Sequence, residues 1–172
     1  WFFSDRNDIE FTKSVMDELS KDLNIDQSKI YLVGFSNGAS FVHRAAGQLS
    51  GRVAAIADVS GWMTGKEKGE AKGVSVLSIH SEDDPSVLFK GRPLWQAVVM
   101  KPSEYTPKHY RQINNLPVEP VITVEKAAND TNIQTTDWKG EGGIEVKSIF
   151  IEKEGHLWFG GKANEAAPIN AT

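Results

Sequence analysis

A serine lies in a five-residue pattern that is typical of an acyl-transfer nucleophile. Residues Gly34-Phe35-Ser36-Asn37-Gly38 match Gly-x-Ser-x-Gly, in which a sharp strand-to-helix turn exposes the serine hydroxyl. Both glycines are expected to relieve crowding at this strained turn. An apolar run at residues 30–33 precedes the motif and helix-forming residues follow it, as the turn requires. Ser36 is therefore the candidate nucleophile. The alternative is a glycine-rich turn whose serine only caps the helix.

A serine hydroxyl needs a general base at neutral pH, and the chain has four histidines. His43 and His109 fall within predicted helices, which favours a structural or surface role for both. His80 ends a predicted strand just before an acidic cluster. His156 follows the last predicted strand, where a loop can carry an imidazole over the carboxyl edge of a sheet. His156 is the candidate base.

An acidic side chain must orient that imidazole and stabilise its charged form. Glu82, Asp83 and Asp84 all follow the predicted strand at residues 74–80. We favour Asp84, because Pro85 fixes the backbone beside it, with Asp83 as the second choice. Nucleophile, acid and base then follow the chain order of the α/β-hydrolases.

Two further roles complete an acyl-transfer site. The backbone N–H of Asn37 is the expected first donor of an oxyanion hole. Trp158 is the candidate substrate-binding residue, because an aromatic side chain on a loop after a strand can line an acyl pocket. Phe159, Trp62 and Trp95 are weaker candidates for the same role.

Alternating helix and strand patterns position these residues. The predicted helices cover residues 8–23, 37–49 and 104–115. The predicted strands cover residues 30–33, 53–59, 74–79 and 144–151, with 121–124 and 133–138 as a hairpin or an irregular loop. Asp8 is the expected N-cap of the first helix, and Pro107 confines the regular part of the third to later residues. The 30–33 strand is expected to be buried and the 144–151 strand to lie nearer an edge. These elements predict an α/β fold with a mostly parallel sheet covered on both faces.

Composition excludes several classes of protein. With 172 residues, 40% of them hydrophobic and 24% charged, the chain is expected to form one globular domain. A net charge of -4 without a basic stripe argues against nucleic acid as a partner. The apolar runs are too short to span a bilayer. The absence of cysteine rules out disulfides, a thiolate zinc site and a cysteine nucleophile.

Three segments together resemble the polyhydroxybutyrate depolymerase and feruloyl esterase-like group of α/β-hydrolases. They are the residues around Ser36 from Tyr31 to Ala39, His80-Ser81-Glu82-Asp83-Asp84-Pro85, and Gly155-His156-Leu157-Trp158-Phe159-Gly160-Gly161. In that group the second segment usually reads H-G-T-x-D-P and the third G-H-x-W-P-G-G. Its acid and base therefore fall on Asp84 and His156, while Ser81-Glu82 replaces Gly-Thr and Phe159 replaces Pro.

The resemblance implies serine-dependent hydrolysis of carboxylic esters through an acyl-enzyme, without metal or cofactor. Enzymes of this group often act on plant-wall esters or polyesters and are secreted, so a secreted or periplasmic location is favoured. Two alternatives remain: a serine peptidase of the same fold, and a non-catalytic hydrolase-like binding module.

The resemblance also implies that an oxyanion segment and further strands precede Trp1. Residues 1–172 are therefore expected to form one partial catalytic domain. Its expected partner is that N-terminal portion, which is also the expected source of the second oxyanion donor. The first residues match neither a translation start nor a signal peptide.

Overall fold

A computed structural model describes residues 7–88, 100–127 and 129–160. Within these residues a six-stranded sheet is accompanied by helices and one short 3-10 turn at Glu141–Gly143. The helices are α1 (Asp8–Asp22), α2 (Asn37–Gln48) and α3 (Tyr105–Ile113). The strands are β1 (Tyr31–Phe35), β2 (Ala55–Val59), β3 (Ser75–Ser81), β4 (Val121–Lys126), β5 (Asn132–Lys139) and β6 (Glu145–Ile151).

The sheet is mostly parallel, which confirms the predicted α/β fold. Its strand order is β1-β2-β3-β6-β5-β4. The first four strands in this order run parallel, whereas β5 is antiparallel to both β6 and β4. Of the two interpretations of residues 121–138, the hairpin is therefore the one that forms. Because this hairpin pairs with β6, the expectation that β6 lies nearer an edge is wrong.

The described helices all contribute to one core on one face of the sheet. Helix α2 packs on β1 and β2, and α3 contacts β3 and β6. Ile9 and Met16 of α1 join the same apolar cluster. On the opposite face Tyr31 and Val33 of β1 are more than half exposed. The expectation of a buried first strand is thus not met by the described residues, where β1 is an edge strand. Val59 and Ile79, which are on the same face as Val33, are buried in a second apolar cluster with Phe159, so this face is covered in part.

The helix ends differ slightly from the predicted ones. The side chain of Asn7 accepts a hydrogen bond from the Glu10 N–H at 3.3 Å, so Asn7 and not Asp8 caps α1. Helix α3 already begins at Tyr105, ahead of Pro107. A proline is tolerated there because the N–H groups of a first helical turn have no intrahelical acceptor. None of the helices in the described ranges is long and apolar enough to cross a membrane.

Candidate active site

Three predicted site residues meet at the carboxyl edge of the parallel strands. Ser36 follows β1, Asp84 follows β3 and His156 follows β6. The Nε2 atom of His156 lies 2.8 Å from the Ser36 Oγ, and its Nδ1 lies 2.8 Å from the Asp84 Oδ2. Parallel neighbours end at one edge of a sheet, so residues that are far apart in sequence converge there. The arrangement can deprotonate a hydroxyl and direct it at a carbonyl carbon.

The turn before α2 holds Ser36 in a strained conformation. Its φ and ψ angles are 53° and −119°, and its N–H donates to the Val59 carbonyl at 2.9 Å. A Cβ atom on Gly34 would lie 2.3 Å from the backbone of Gly38, so residue 34 must be glycine. A Cβ on Gly38 would meet no described atom within 4 Å outside its own helix. The expectation that both glycines relieve crowding is therefore correct for Gly34 alone.

Hydrogen bonds fix which nitrogen of His156 carries the proton. Asp84 is fully buried, and its Oδ1 accepts the N–H groups of Ser86 at 2.7 Å and Val87 at 2.8 Å. The other carboxylate oxygen is left for His156. Because a carboxylate only accepts hydrogen bonds, the proton of that contact is assigned to Nδ1, and the lone pair on Nε2 faces Ser36.

The other two acids of the cluster lie elsewhere. Glu82 and Asp83 are both exposed to solvent, whereas the buried Asp84 contacts the imidazole.

The aromatic candidates separate into two groups. Trp158 is half-buried and packs edge-on against Phe35, with 6.3 Å between ring centroids. The Phe35 ring lies 5.0 Å from the His156 ring, so these aromatics border the imidazole. Phe159 is fully buried and Trp62 is only 9% exposed, which makes both part of the protein interior rather than an open pocket. Trp95 lies outside the described residues.

The N–H of Asn37 is not part of the intrahelical hydrogen-bond pattern of α2. Asn37 is the first residue of α2, and the first N–H groups of a helix lack intrahelical acceptors. A helix N-terminus also favours negative charge. This position is compatible with an oxyanion donor, and that role stays a prediction.

A second group of histidines surrounds a buried carboxylate. The Oδ2 atom of Asp58 on β2 lies 3.1 Å from the His43 Nε2 and 3.2 Å from the His80 Nε2. Its Oδ1 accepts the Gly61 N–H at 2.9 Å. The Nδ1 of His43 lies 3.2 Å from the Tyr110 hydroxyl. This group, here called the Asp58 cluster, holds α2, α3 and two strands together.

The charges of the Asp58 cluster are set by burial and by hydrogen bonds. Burial alone would raise the pKa of Asp58, but the charge of His80 and the hydrogen bonds from His43 and His80 outweigh it and leave the pKa below its usual range. Burial, with the negative charges of Glu67 and Asp58, raises the pKa of Tyr110. Because the Asp58 carboxylate only accepts hydrogen bonds, the proton of its contact with His43 is assigned to Nε2, and Nδ1 is then the acceptor for the Tyr110 O–H.

The remaining histidine has a packing role. The His109 ring stacks on Tyr105 with 5.5 Å between centroids and meets Tyr110 edge-on. Burial lowers the pKa of His109. The negative charge of Glu67 opposes this shift, and His43 lowers the pKa further.

The Asp58 cluster was not predicted from the sequence. A signal was present, because Asp58 interrupts the apolar run of residues 53–59, and a carboxylate in a buried strand requires partners. Nothing local identifies those partners, since His43 precedes it on a helix and His80 follows it on the next strand.

Fold and site together define an α/β-hydrolase. The model of the phospholipase/carboxylesterase family matches residues 4–114, and the chain belongs to that family. An acetyl xylan esterase from Aspergillus awamori has a similar structure, with a TM-score of 0.63 and 17% identity over 86% of this chain and 61% of that one.

Two sequence relatives are esterases by name. A bifunctional acetylxylan esterase/xylanase, XynS20E of Neocallimastix patriciarum, is 29% identical over 84 residues, or 49% of this chain. A probable feruloyl esterase C of Aspergillus niger is 28% identical over 91 residues, or 53% of this chain. The matches span only 12% and 34% of those proteins. The esterase part of the predicted resemblance is thus confirmed. The polyhydroxybutyrate depolymerase part and the partial domain stay predictions.

Proposed function

We propose that this chain carries the catalytic residues of a serine esterase that hydrolyses carboxylic esters through an acyl-enzyme. The observation that carries the proposal is the hydrogen-bonded series from Ser36 through His156 to Asp84, with 2.8 Å at each step. Membership of the phospholipase/carboxylesterase family supports it independently.

Each side chain has one task in the proposed reaction. The Ser36 Oγ attacks the ester carbonyl carbon while Nε2 of His156 takes the hydroxyl proton. The Asn37 N–H donates to the oxyanion. His156 then protonates the leaving alcohol, and the ester carbonyl re-forms as an acyl group on Ser36. Water then attacks this acyl group while Nε2 of His156 takes its proton. The Ser36 Oγ–acyl bond breaks, the carboxylic acid leaves, and His156 returns the proton to the Ser36 Oγ. Asp84 keeps the imidazole oriented and balances its transient positive charge.

The proposed substrates are acetyl or feruloyl esters of plant polysaccharides. The names of the two sequence relatives support this class, because both refer to such esters. Trp158 and Phe35 form an aromatic border beside His156, which suits an acyl or sugar ring. Short polyesters of the hydroxybutyrate type are the second proposed class of substrate. A secreted or periplasmic location remains a prediction for both substrate classes.

A labelling experiment tests the nucleophile. The purified full-length protein is incubated with a fluorophosphonate and, separately, with 4-nitrophenyl acetate, beside Ser36→Ala and the exposed-serine control Ser14→Ala. We expect the label on Ser36, and we expect Ser36→Ala to lose about 10⁴-fold or more in turnover while Ser14→Ala keeps the wild-type rate. Label on another residue, or turnover unchanged in Ser36→Ala, would refute the proposal. Faster cleavage of a peptide than of the matched ester would favour the peptidase.

A further inference from the structure

One serine at the end of β3, Ser81, hydrogen-bonds to the loop that carries His156. Ser81 is the last residue of β3 and is fully buried. Its hydroxyl donates to the Glu154 carbonyl, and the Glu154 N–H donates back to the Ser81 Oγ at 3.0 Å. One hydroxyl thus satisfies both backbone polar groups of a residue two positions before the imidazole.

The other described backbone hydrogen bond of this loop is at its start, where the Glu152 N–H donates to the Asn132 carbonyl at 3.0 Å. After β6 the chain turns through Lys153, whose φ angle is 58°. Gly155 separates Glu154 from His156, and a Cβ on Gly155 would meet no described atom within 4 Å. Because glycine gives the backbone more conformational freedom, the hydrogen bonds of Glu154 to Ser81 restrain the chain next to His156. On the far side of His156, the Ser60 hydroxyl donates to the Leu157 carbonyl at a longer 3.3 Å.

Ser81 also lies on the segment that leads to the acid. The chain runs from Ser81 directly into the turn that presents Asp84, and the Glu82 N–H donates to the Ile151 carbonyl at 2.9 Å. The acid loop and the imidazole loop are therefore joined where they leave neighbouring strands. A shift of Glu154 relative to Ser81 would change the distance between His156 and Asp84.

We propose that Ser81 is a positioning residue that holds His156 in hydrogen-bonding register with Asp84 and Ser36. The proposal rests on the proposed esterase function of the same site. The polyhydroxybutyrate depolymerase and feruloyl esterase-like group, which this chain resembles, usually has glycine at this position. Glycine has no hydroxyl and cannot make these hydrogen bonds. Ser81 acts through Glu154 and does not contact the reacting atoms.

Ser78 provides a matched control on the same strand. It is also fully buried, but its hydroxyl points at Asp58, with 3.4 Å between the oxygens. Ser78→Ala removes the same group from the same strand without touching the His156 loop.

Kinetics provide the first test. We expect Ser81→Ala to lower kcat on 4-nitrophenyl acetate about 10- to 100-fold with KM within about twofold, because small misplacement of a catalytic group has an effect of this size. Ser78→Ala should keep kcat within about threefold. Ser81→Thr retains a hydroxyl and should recover part of the loss. A kcat in Ser81→Ala equal to that of Ser78→Ala would overturn the proposal.

Proton exchange tests the positioning role without any turnover. In Ser81→Ala the Glu154 amide and the Nδ1 proton of His156 should exchange with solvent at least about tenfold faster than in Ser78→Ala, as followed by NMR. If the wild-type chain hydrolyses no ester but this difference is found, the esterase proposal fails while the positioning of His156 by Ser81 stands. Equal exchange in the two variants would refute the positioning role whatever the activity.

Discussion

In the described residues histidines contact a buried aspartate at two places, at the active site through His156 and Asp84 and in the Asp58 cluster through His43 and His80. In the active-site contact, His156 is 21% exposed and its second nitrogen faces the hydroxyl of Ser36. In the Asp58 cluster, His43 is buried and its second nitrogen faces the hydroxyl of Tyr110. Both acids are fully buried. The two regions therefore differ in access to solvent and in the group beyond the imidazole.

That difference explains why only one contact suits catalysis. The Tyr110 hydroxyl belongs to a side chain that is only 1% exposed, so a substrate carbonyl has no access to it and it serves to fix His43. The strained turn at Ser36 instead presents a hydroxyl at an open edge of the sheet, where an ester can approach. A histidine–aspartate pair by itself is thus no sign of a reactive site.

The largest expected effect is the loss of activity in Asp84→Asn. An asparagine can still accept from the Ser86 and Val87 N–H groups, but its amide favours the wrong tautomer of His156. We expect kcat to fall about 10⁴-fold, with the midpoint of urea unfolding little changed. Steady-state kinetics and urea titrations measure the two quantities. A fall in kcat of less than about tenfold would show that Asp84 does not orient the base.

The corresponding substitution in the Asp58 cluster, Asp58→Asn, should lower the stability of the fold and leave turnover largely intact. Asp58→Asn leaves His43 and His80 without their shared carboxylate, and removing one partner of a buried pair costs about 3–5 kcal/mol. We expect this loss in the free energy of unfolding, with turnover per folded molecule within about tenfold of wild type. Loss of turnover as large as in Asp84→Asn, with stability intact, would remove the distinction between the two contacts.

Acid should reduce the stabilisation that the ionised Asp58 carboxylate gives to the fold. Its pKa in the folded protein lies below the ordinary value of 3.8, so its ionised form stabilises the fold above that value. This stabilisation is lost as the pH falls below 3.8 towards the folded pKa. The gap in unfolding free energy between wild type and Asp58→Asn should therefore narrow by up to about 1.4 kcal/mol per pH unit below that value. Urea unfolding at pH 7, 4 and 3 measures the gap, and a constant gap would contradict the assignment.

The smallest expected effect is that of Ser78→Ala on stability. The contact of its hydroxyl with Asp58 is long at 3.4 Å, and Asp58 keeps its other partners. We expect a loss of about 0.5–1 kcal/mol in unfolding free energy. A loss near that of Asp58→Asn would mean that the serine, rather than the histidines, holds the cluster together.

Local patterns were sufficient for the elements that carry the site. The apolar run before Ser36, the acids after β3 and the loop after β6 predicted that Ser36, Asp84 and His156 lie at one edge of the sheet. The structure brings these three side chains together, because each lies in the turn or loop that follows a parallel strand. Local patterns failed for Phe159, which a loop position predicts as pocket-lining and the tertiary structure buries completely. The pattern of β6 likewise did not reveal that the β4–β5 hairpin would extend the sheet beyond it.

The sequence by itself determined the alternation of strands and helices and the chemical types available at each strand end. It did so because periodicity and turn-forming residues act over a few positions. Only the tertiary structure decided that His43 and His80 share the buried carboxylate of Asp58, and that the Ser81 hydroxyl hydrogen-bonds to the backbone of Glu154. Those contacts join residues far apart in the chain, and strand order and register, which no short segment encodes, bring them together.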